Sequence, residues 1–180
     1  IYRAMERLPE ALAYQQKAIV IQAQVLGNNH PDLATSYGNL SLIYQDMGHL
    51  LEALDYQQKA IIIREQVLGN NHPDLATSYN NLSGIYRAME RLPEALAYQQ
   101  KAIAIREKVL DKNHPDMATS YGNLSNIYRA MERLPEALAY QQKAIAIREK
   151  VLDKNHPDMA TSYGNLSNIY RAMERLPEAL

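Results

Sequence analysis

The chain has no cysteine, tryptophan or phenylalanine, and all 13 aromatic residues are tyrosine. Without cysteine, disulfides, thiolate metal sites and cysteine nucleophiles are excluded. No apolar run approaches the ~20 residues that a membrane-spanning helix needs. Neither sign of charge dominates: 19 basic residues stand against 20 acidic ones, a formal net charge of −1. Such a balance argues against a general nucleic-acid or acidic-membrane surface. Residues 1–90 carry 6 basic and 9 acidic side chains and the rest carry 13 and 11, a tilt too small to name a partner. A signal-peptide pattern is also missing. The chain opens on Ile1-Tyr2-Arg3 and not on methionine, so further sequence is expected upstream, where a targeting segment is left open. Cytoplasmic is the default expectation for its location.

What is present is a repeat, and it decides the fold. Asn-His-Pro-Asp recurs with His30, His72, His114 and His156, each 42 residues after the last. Residues 73–114 and 115–156 differ at three positions only, Leu75/Met117, Asn80/Gly122 and Gly84/Asn126. Residues 1–12 and 169–180 are the same string. The chain therefore reads as one array over 1–180: a partial unit 1–30, repeats 31–72, 73–114 and 115–156, and a partial unit 157–180. Near-identity of this degree points to recent duplication or design, and a residue repeated by copying need not have been repeated by selection for function.

Each unit holds two helical patterns. Leu33, Tyr37, Leu40, Tyr44 and Met47 step by three or four, which places them on one helical stripe. Pro31 suits the first helical position and Asp32 the positive end of the dipole, predicting a helix over 31–47 with Gly48 as a left-handed stop. The second pattern uses Ala53, Leu54, Tyr56, Ala60, Ile61, Ile63, Val67 and Leu68, a wider stripe suited to a helix covered on more than one side. Pro9, Pro93, Pro135 and Pro177 open its copies. Gly69-Asn70-Asn71 breaks it, and Asp111-Lys112-Asn113 is a weaker stop in the later copies. Short connections make neighbouring helices antiparallel, and pairs that cannot cover both apolar faces alone must stack. The expected fold is an all-α solenoid superhelix of stacked antiparallel helix pairs. Small residues such as Ser41, Ala53 and Ala60 are expected at the close crossings.

The residues resemble the tetratricopeptide repeat family: Tyr37, Leu40, Ser41, Tyr44, Gly48, Ala53 and Ala60 fall at that family's spacing of large, large, small, large, glycine, small, small. The 42-residue period and the phrase Ala60, Ile63, Arg64, Glu65, Val67, Leu68, Gly69, His72, Pro73, Asp74 are similar to the kinesin light chain subgroup. Two departures stand out. Gln57, Gln99 and Gln141 occupy a position where the family has an aromatic, with Tyr56, Tyr98 and Tyr140 one place earlier. This predicts a slightly rotated second helix or a polar gap in its packing. The turn glycine is replaced by Glu6, Glu90, Glu132 and Glu174, and a non-glycine residue in the left-handed region costs roughly 1 kcal/mol, so another turn shape is expected there.

The resemblance implies that the first helix of each pair lines a concave groove that holds peptide. Position by position, the groove residues are Asn39, Asn81, Asn123 and Asn165, then Leu42, Gly84, Asn126 and Asn168, then Gln45, Arg87, Arg129 and Arg171. An asparagine amide both donates to and accepts from a peptide backbone, and an arginine one turn on can grip a carboxylate. The bland alternative is that the amides face water or a neighbouring helix and the arginines are solvated.

The histidines, one per unit and a whole repeat apart, do not suit a metal, whose ligands need ~2.0–2.1 Å bonds to one centre; a capping or turn role before proline is expected. No Ser/His/Asp grouping, glycine-rich phosphate loop or paired-carboxylate signature appears, so neither catalytic residues nor a cofactor are expected. Tyr37, Tyr44 and their copies fit the core stripe, with hydroxyls reaching the surface or a polar partner. The leading expectation is a protein- or peptide-binding scaffold. The alternatives are a spacer or head-to-tail self-associating rod, with apolar residues such as Ile169, Tyr170 and Met173 bare at its end, or the sensor segment of a larger enzyme.

Overall fold

The computed structural model describes residues 7–174. These form eight α-helices and, among the described residues, no strand: α1 (Leu8–Leu26), α2 (Pro31–Asp46), α3 (Leu50–Leu68), α4 (Pro73–Ala88), α5 (Leu92–Val109), α6 (Pro115–Ala130), α7 (Leu134–Val151) and α8 (Pro157–Ala172). The even-numbered helices are the first of each sequence pair and the odd-numbered ones the second. The copies at Glu6 and Pro177 lie outside the described residues. The chain divides into two compact units, residues 1–91 and 92–180. Within the first, α1 packs on α2, α2 on α3 and α3 on α4; within the second, α5 packs on α6, α6 on α7 and α7 on α8.

Local chemistry sets where each first helix begins. Its proline takes the opening turn, where a missing N–H leaves no bond unmade. The histidine before it is extended and its Nδ1 accepts the N–H of the following aspartate, at 3.2 Å for His30–Asp32 and 3.1 Å for His72–Asp74, His114–Asp116 and His156–Asp158. The histidines are thus N-caps, satisfying one of the donors a helix start leaves over. The second helices differ from the sequence reading by one residue, since Leu8, Leu92 and Leu134 open them and the proline comes second.

The turn inside each pair overturns an expectation. Gly48 is left-handed (φ 78°), and Glu90, Glu132 and Glu174 adopt the same region, with φ 59°, 59° and 61°. The reason lies in the hydrogen bonds. His49 N–H reaches the Tyr44 carbonyl at 2.8 Å and Gly48 N–H reaches Gln45 at 3.0 Å, the six-to-one and five-to-two pattern of a Schellman stop. The same pair forms at Arg91–Tyr86 with Glu90–Arg87, and at Arg133–Tyr128 with Glu132–Arg129. The closing bonds hold the glutamates where glycine would sit without strain.

Between pairs, two different stops do the same work. Gly27 and Gly69 sit at φ 82° and 77° with ψ near 170°, a region that is nearly glycine's alone. In the second unit α7 ends one residue earlier on an extended Leu152. The Asp111 carboxylate accepts Asn113 N–H at 2.8 Å, an aspartate turn that needs no glycine.

The core follows the two stripes. Leu33, Ala53 and Ala60 are fully buried, as is Ser41, whose Oγ donates to the Ala53 carbonyl at 2.7 Å; Ser125 does the same to Ala137. Tyr44 stacks on Tyr56 and Tyr128 on Tyr140, at 5.5 and 5.6 Å between ring centres, so the displaced tyrosines pack against the pair's own first helix. No described helix is long and apolar enough to cross a membrane.

Candidate functional site: the outer stripe of the first helices

On α2, Asn39 is exposed, Leu42 is 42% exposed and Gln45 is half-buried. On α4, Asn81 and Gly84 are half-buried and Arg87 is exposed; α6 repeats this with Asn123, Asn126 and Arg129, and α8 with Asn165, Asn168 and Arg171. The residues one place after the leading asparagines, Leu40, Leu82 and Leu124, are 2% exposed or less. One helical phase therefore faces the core while the phase beside it stays open to solvent along about two turns. The second helix of a pair packs on the first helices before and after it, α3 on α2 and α4 in one unit and α7 on α6 and α8 in the other. The arginines lie in the last turn of their helices, where a cation also suits the negative end of the dipole. Gly84 leaves open space where a side chain would stand, so α4 has a gap at the level where α6 and α8 carry an amide.

Sequence reading missed a buried polar seam between pairs. The Nε2 of Gln15, Gln57, Gln99 and Gln141 donates to the backbone carbonyls of Ser36, Ser78, Ser120 and Ser162 at 3.2, 3.0, 3.1 and 2.9 Å. Gln57, Gln99 and Gln141 are fully buried. One helical heptad on, Arg64, Arg106 and Arg148 donate to the Oγ of Ser78, Ser120 and Ser162. Arg64 also reaches the Thr35 hydroxyl at 3.3 Å, tying α3 to both α2 and α4. Burial lowers the pKa of Arg64 and Arg106, partly offset by Asp74 and Asp116. The expected polar gap is thus bridged, though the Oε1 atoms of Gln57 and Gln141 are buried without a hydrogen bond. The signal was available: Gln57, Ala60, Ile61 and Arg64 share the spacing of one buried face.

A second recurrent contact joins Tyr79 to Glu65, Tyr121 to Glu107 and Tyr163 to Glu149, with hydroxyl–carboxylate distances of 2.6, 3.2 and 3.0 Å. Burial and the Glu107 charge raise the Tyr121 pKa; the Glu149 hydrogen bond is the main cause for Tyr163. In the second unit these pairs wall hollows of about 360 and 350 Å³ floored by Met117 and Met159, which share no residue with the asparagine stripe. The described residues hold no cluster of three metal-ligating side chains.

The tetratricopeptide repeat model matches residues 1–61, 39–108, 78–150 and 116–180, which together span the chain. The chain belongs to the tetratricopeptide repeat family. It is similar to the solved structure of a Podosopora anserina putative kinesin light chain with nearly identical tetratricopeptide-like repeats, at 28% identity over 99% of this chain and 84% of that one, TM-score 0.82. A point variant of the same protein gives 28% identity, the same coverage and a TM-score of 0.84. BtubC (BKLC) from P. vanneervenii shares the fold at 22% identity over 98% of this chain and 70% of that one, TM-score 0.87. No curated protein sequence matches. The all-α solenoid of consecutive packed helix pairs is the fold of these tetratricopeptide proteins, which as a family are commonly protein-binding scaffolds.

Proposed function

We propose that this tetratricopeptide chain is a non-enzymatic scaffold, acting in the cytoplasm, that binds an extended peptide or a partner's surface along the solvent-facing stripes of its first helices, α2 and α4 in one unit and α6 and α8 in the other. The observation that carries the reading is the accessible asparagine, Asn39, Asn81, Asn123 or Asn165, repeated at one helical phase beside a leucine or, in α8, a half-buried Leu166. Each amide can bridge a peptide's N–H and C=O without reading its side chains. Leu42, Gly84, Asn126 and Asn168 then vary what lies one turn on, and Arg87, Arg129 and Arg171 offer forked donors to carboxylates where Gln45 offers a neutral amide.

The test is a peptide-library selection on the parent beside the variant with Asn39, Asn81, Asn123 and Asn165 all changed to alanine. Peptides enriched by the parent alone establish the stripe as the site. For a selected peptide, Asn81→Ala with Asn123→Ala weakens binding about tenfold, the scale of one or two lost hydrogen bonds, and leaves the unfolding midpoint unchanged. Equal binding by parent and double variant refutes the asparagine stripe.

A further inference from the structure

A hollow of about 360 Å³ opens where α5 ends and α6 begins, apart from the asparagine stripe. The end of α5 supplies Glu107, the turn after it Leu110, Asp111 and Lys112, and α6 supplies Met117 and Tyr121. Met117 is 3% exposed, and Ile147 of α7 packs with it and with Tyr121. The hollow is therefore present with the next helix in place and owes nothing to an end of the array. Residues of the same types, Glu149, Leu152, Lys154, Met159 and Tyr163, line its copy 42 residues on.

The floor is apolar and the rim is charged. Glu107 is exposed, and its Oε1 accepts the Tyr121 hydroxyl at 3.2 Å, a bond that fixes one end of the carboxylate. Burial and then the Glu107 charge raise the Tyr121 pKa, so the phenol stays a neutral donor and the negative charge stays on Glu107. Asp111 adds a second carboxylate, which accepts Asn113 N–H at 2.8 Å. Two cations stand close by, Lys112 in the lining and Lys143 at 5.7 Å from the Tyr121 ring centre. An exposed ion pair by itself contributes little. A fixed carboxylate beside an apolar floor favours one kind of ligand, a cation on an apolar stem, because the stem is buried while the charged head stays at the rim. An anion gains nothing from Glu107, and a neutral apolar group leaves its charge unused.

We propose that this hollow takes the lysine side chain of a bound partner, its four-carbon stem on Leu110, Met117 and Tyr121 and its ammonium on the Glu107 carboxylate. A volume of about 360 Å³ lies at the low end of small-molecule sites and suits one side chain. Lys112 repels a second positive charge, which sets a lysine side chain apart from a free diamine. The site shares no residue with the asparagine stripe and stands or falls independently of it.

The test is a titration of n-butylammonium, the lysine side chain alone, at constant ionic strength into protein carrying carbon-13 methionine methyls. Met117→Leu assigns the Met117 resonance, leucine being the residue that already stands at the same place in the preceding repeat as Leu75. That resonance is expected to shift saturably with an affinity in the millimolar range, as suits so small a ligand. Glu107→Gln, at an exposed position, is expected to weaken binding about tenfold. Nα-acetyl-lysine methylamide is expected to bind as butylammonium does, and 1,4-diaminobutane more weakly. The proposal is overturned if n-butanol or butyrate shifts the resonance as readily as butylammonium, if Glu107→Gln binds like the parent, or if the diamine binds more tightly. A Met117 resonance that no amine moves overturns it as well. Asn123→Ala is expected to bind butylammonium like the parent, so failure of the asparagine stripe and failure of this site read out separately.

Discussion

The two compact units solve the same folding problem with different residues. The first stops α1 and α3 with glycines that adopt backbone angles open to little else, Gly27 and Gly69, and closes its first inner turn on Gly48. In the second, the corresponding break at Asp111 is held by a side-chain hydrogen bond and the corresponding turn by Glu132 in the left-handed region. The units also differ on the outside. Leu51 and Ile62 of α3 are 70% and 52% exposed, where α7 has Pro135 and Ala146, and the outer stripe changes from Leu42 and Gln45 on α2 to Asn126 and Arg129 on α6. What recurs in both is the close crossing of Ser41 on Ala53 and of Ser125 on Ala137, and the buried glutamine bonds of Gln57 and Gln141. The comparison teaches that stacking specifies the helix pairs, while the turns need only be compatible with it.

The largest expected effect tests whether the cores are equivalent. Leu40→Ala in the first unit and Leu124→Ala in the second each remove a side chain no more than 2% exposed. Each substitution is expected to cost about 2–5 kcal/mol in urea unfolding, by lost transfer energy and the cavity left behind. Unequal costs would show that one unit relaxes around the cavity and the other does not.

A smaller effect separates the turns. Glu132→Gly relieves a left-handed side chain and is expected to stabilise by up to about 1 kcal/mol, whereas Gly48→Glu is expected to cost about as much. Open space around the Gly48 position leaves backbone strain as the only cause of that cost. Paired thermal melts of the two variants check both signs, and opposite shifts of the midpoint are the expected result.

The third prediction concerns the seam. Gln57→Leu removes a buried amide whose Oε1 has no hydrogen bond, and the Ser78 carbonyl keeps its place in the α4 ladder. The expected change is a stabilisation within about 1 kcal/mol, since an unpaired buried acceptor costs more than the one bond its amide makes returns. A clear loss of stability in urea would instead show that the Gln57–Ser78 bond sets the register between pairs.

Much of the fold was legible because its signals are local. Helix 31–47 was placed to within a residue from Leu33, Tyr37, Leu40 and Tyr44, and the histidine before proline announced its cap. The outer stripe was legible only through the family resemblance, which pointed to Asn39, Asn81, Asn123 and Asn165; that Leu40, Leu82 and Leu124 beside the first three are buried came from the structure. Gln57 was legible only as a polar gap and Arg64 had no role, because a backbone carbonyl 21 residues from the one and a serine hydroxyl 14 residues from the other are brought to them by the neighbouring helix.

The sequence by itself determined the period, the alternation of helix pairs, the caps and the glycine stops, since each depends on residues within a few positions of one another. Only the tertiary structure decided which polar residues are buried and that three glutamates occupy a left-handed turn. Those outcomes depend on what a neighbouring helix supplies, whether a hydrogen-bond partner, a closing bond or a covering side chain, and no single stretch of chain contains its own neighbour.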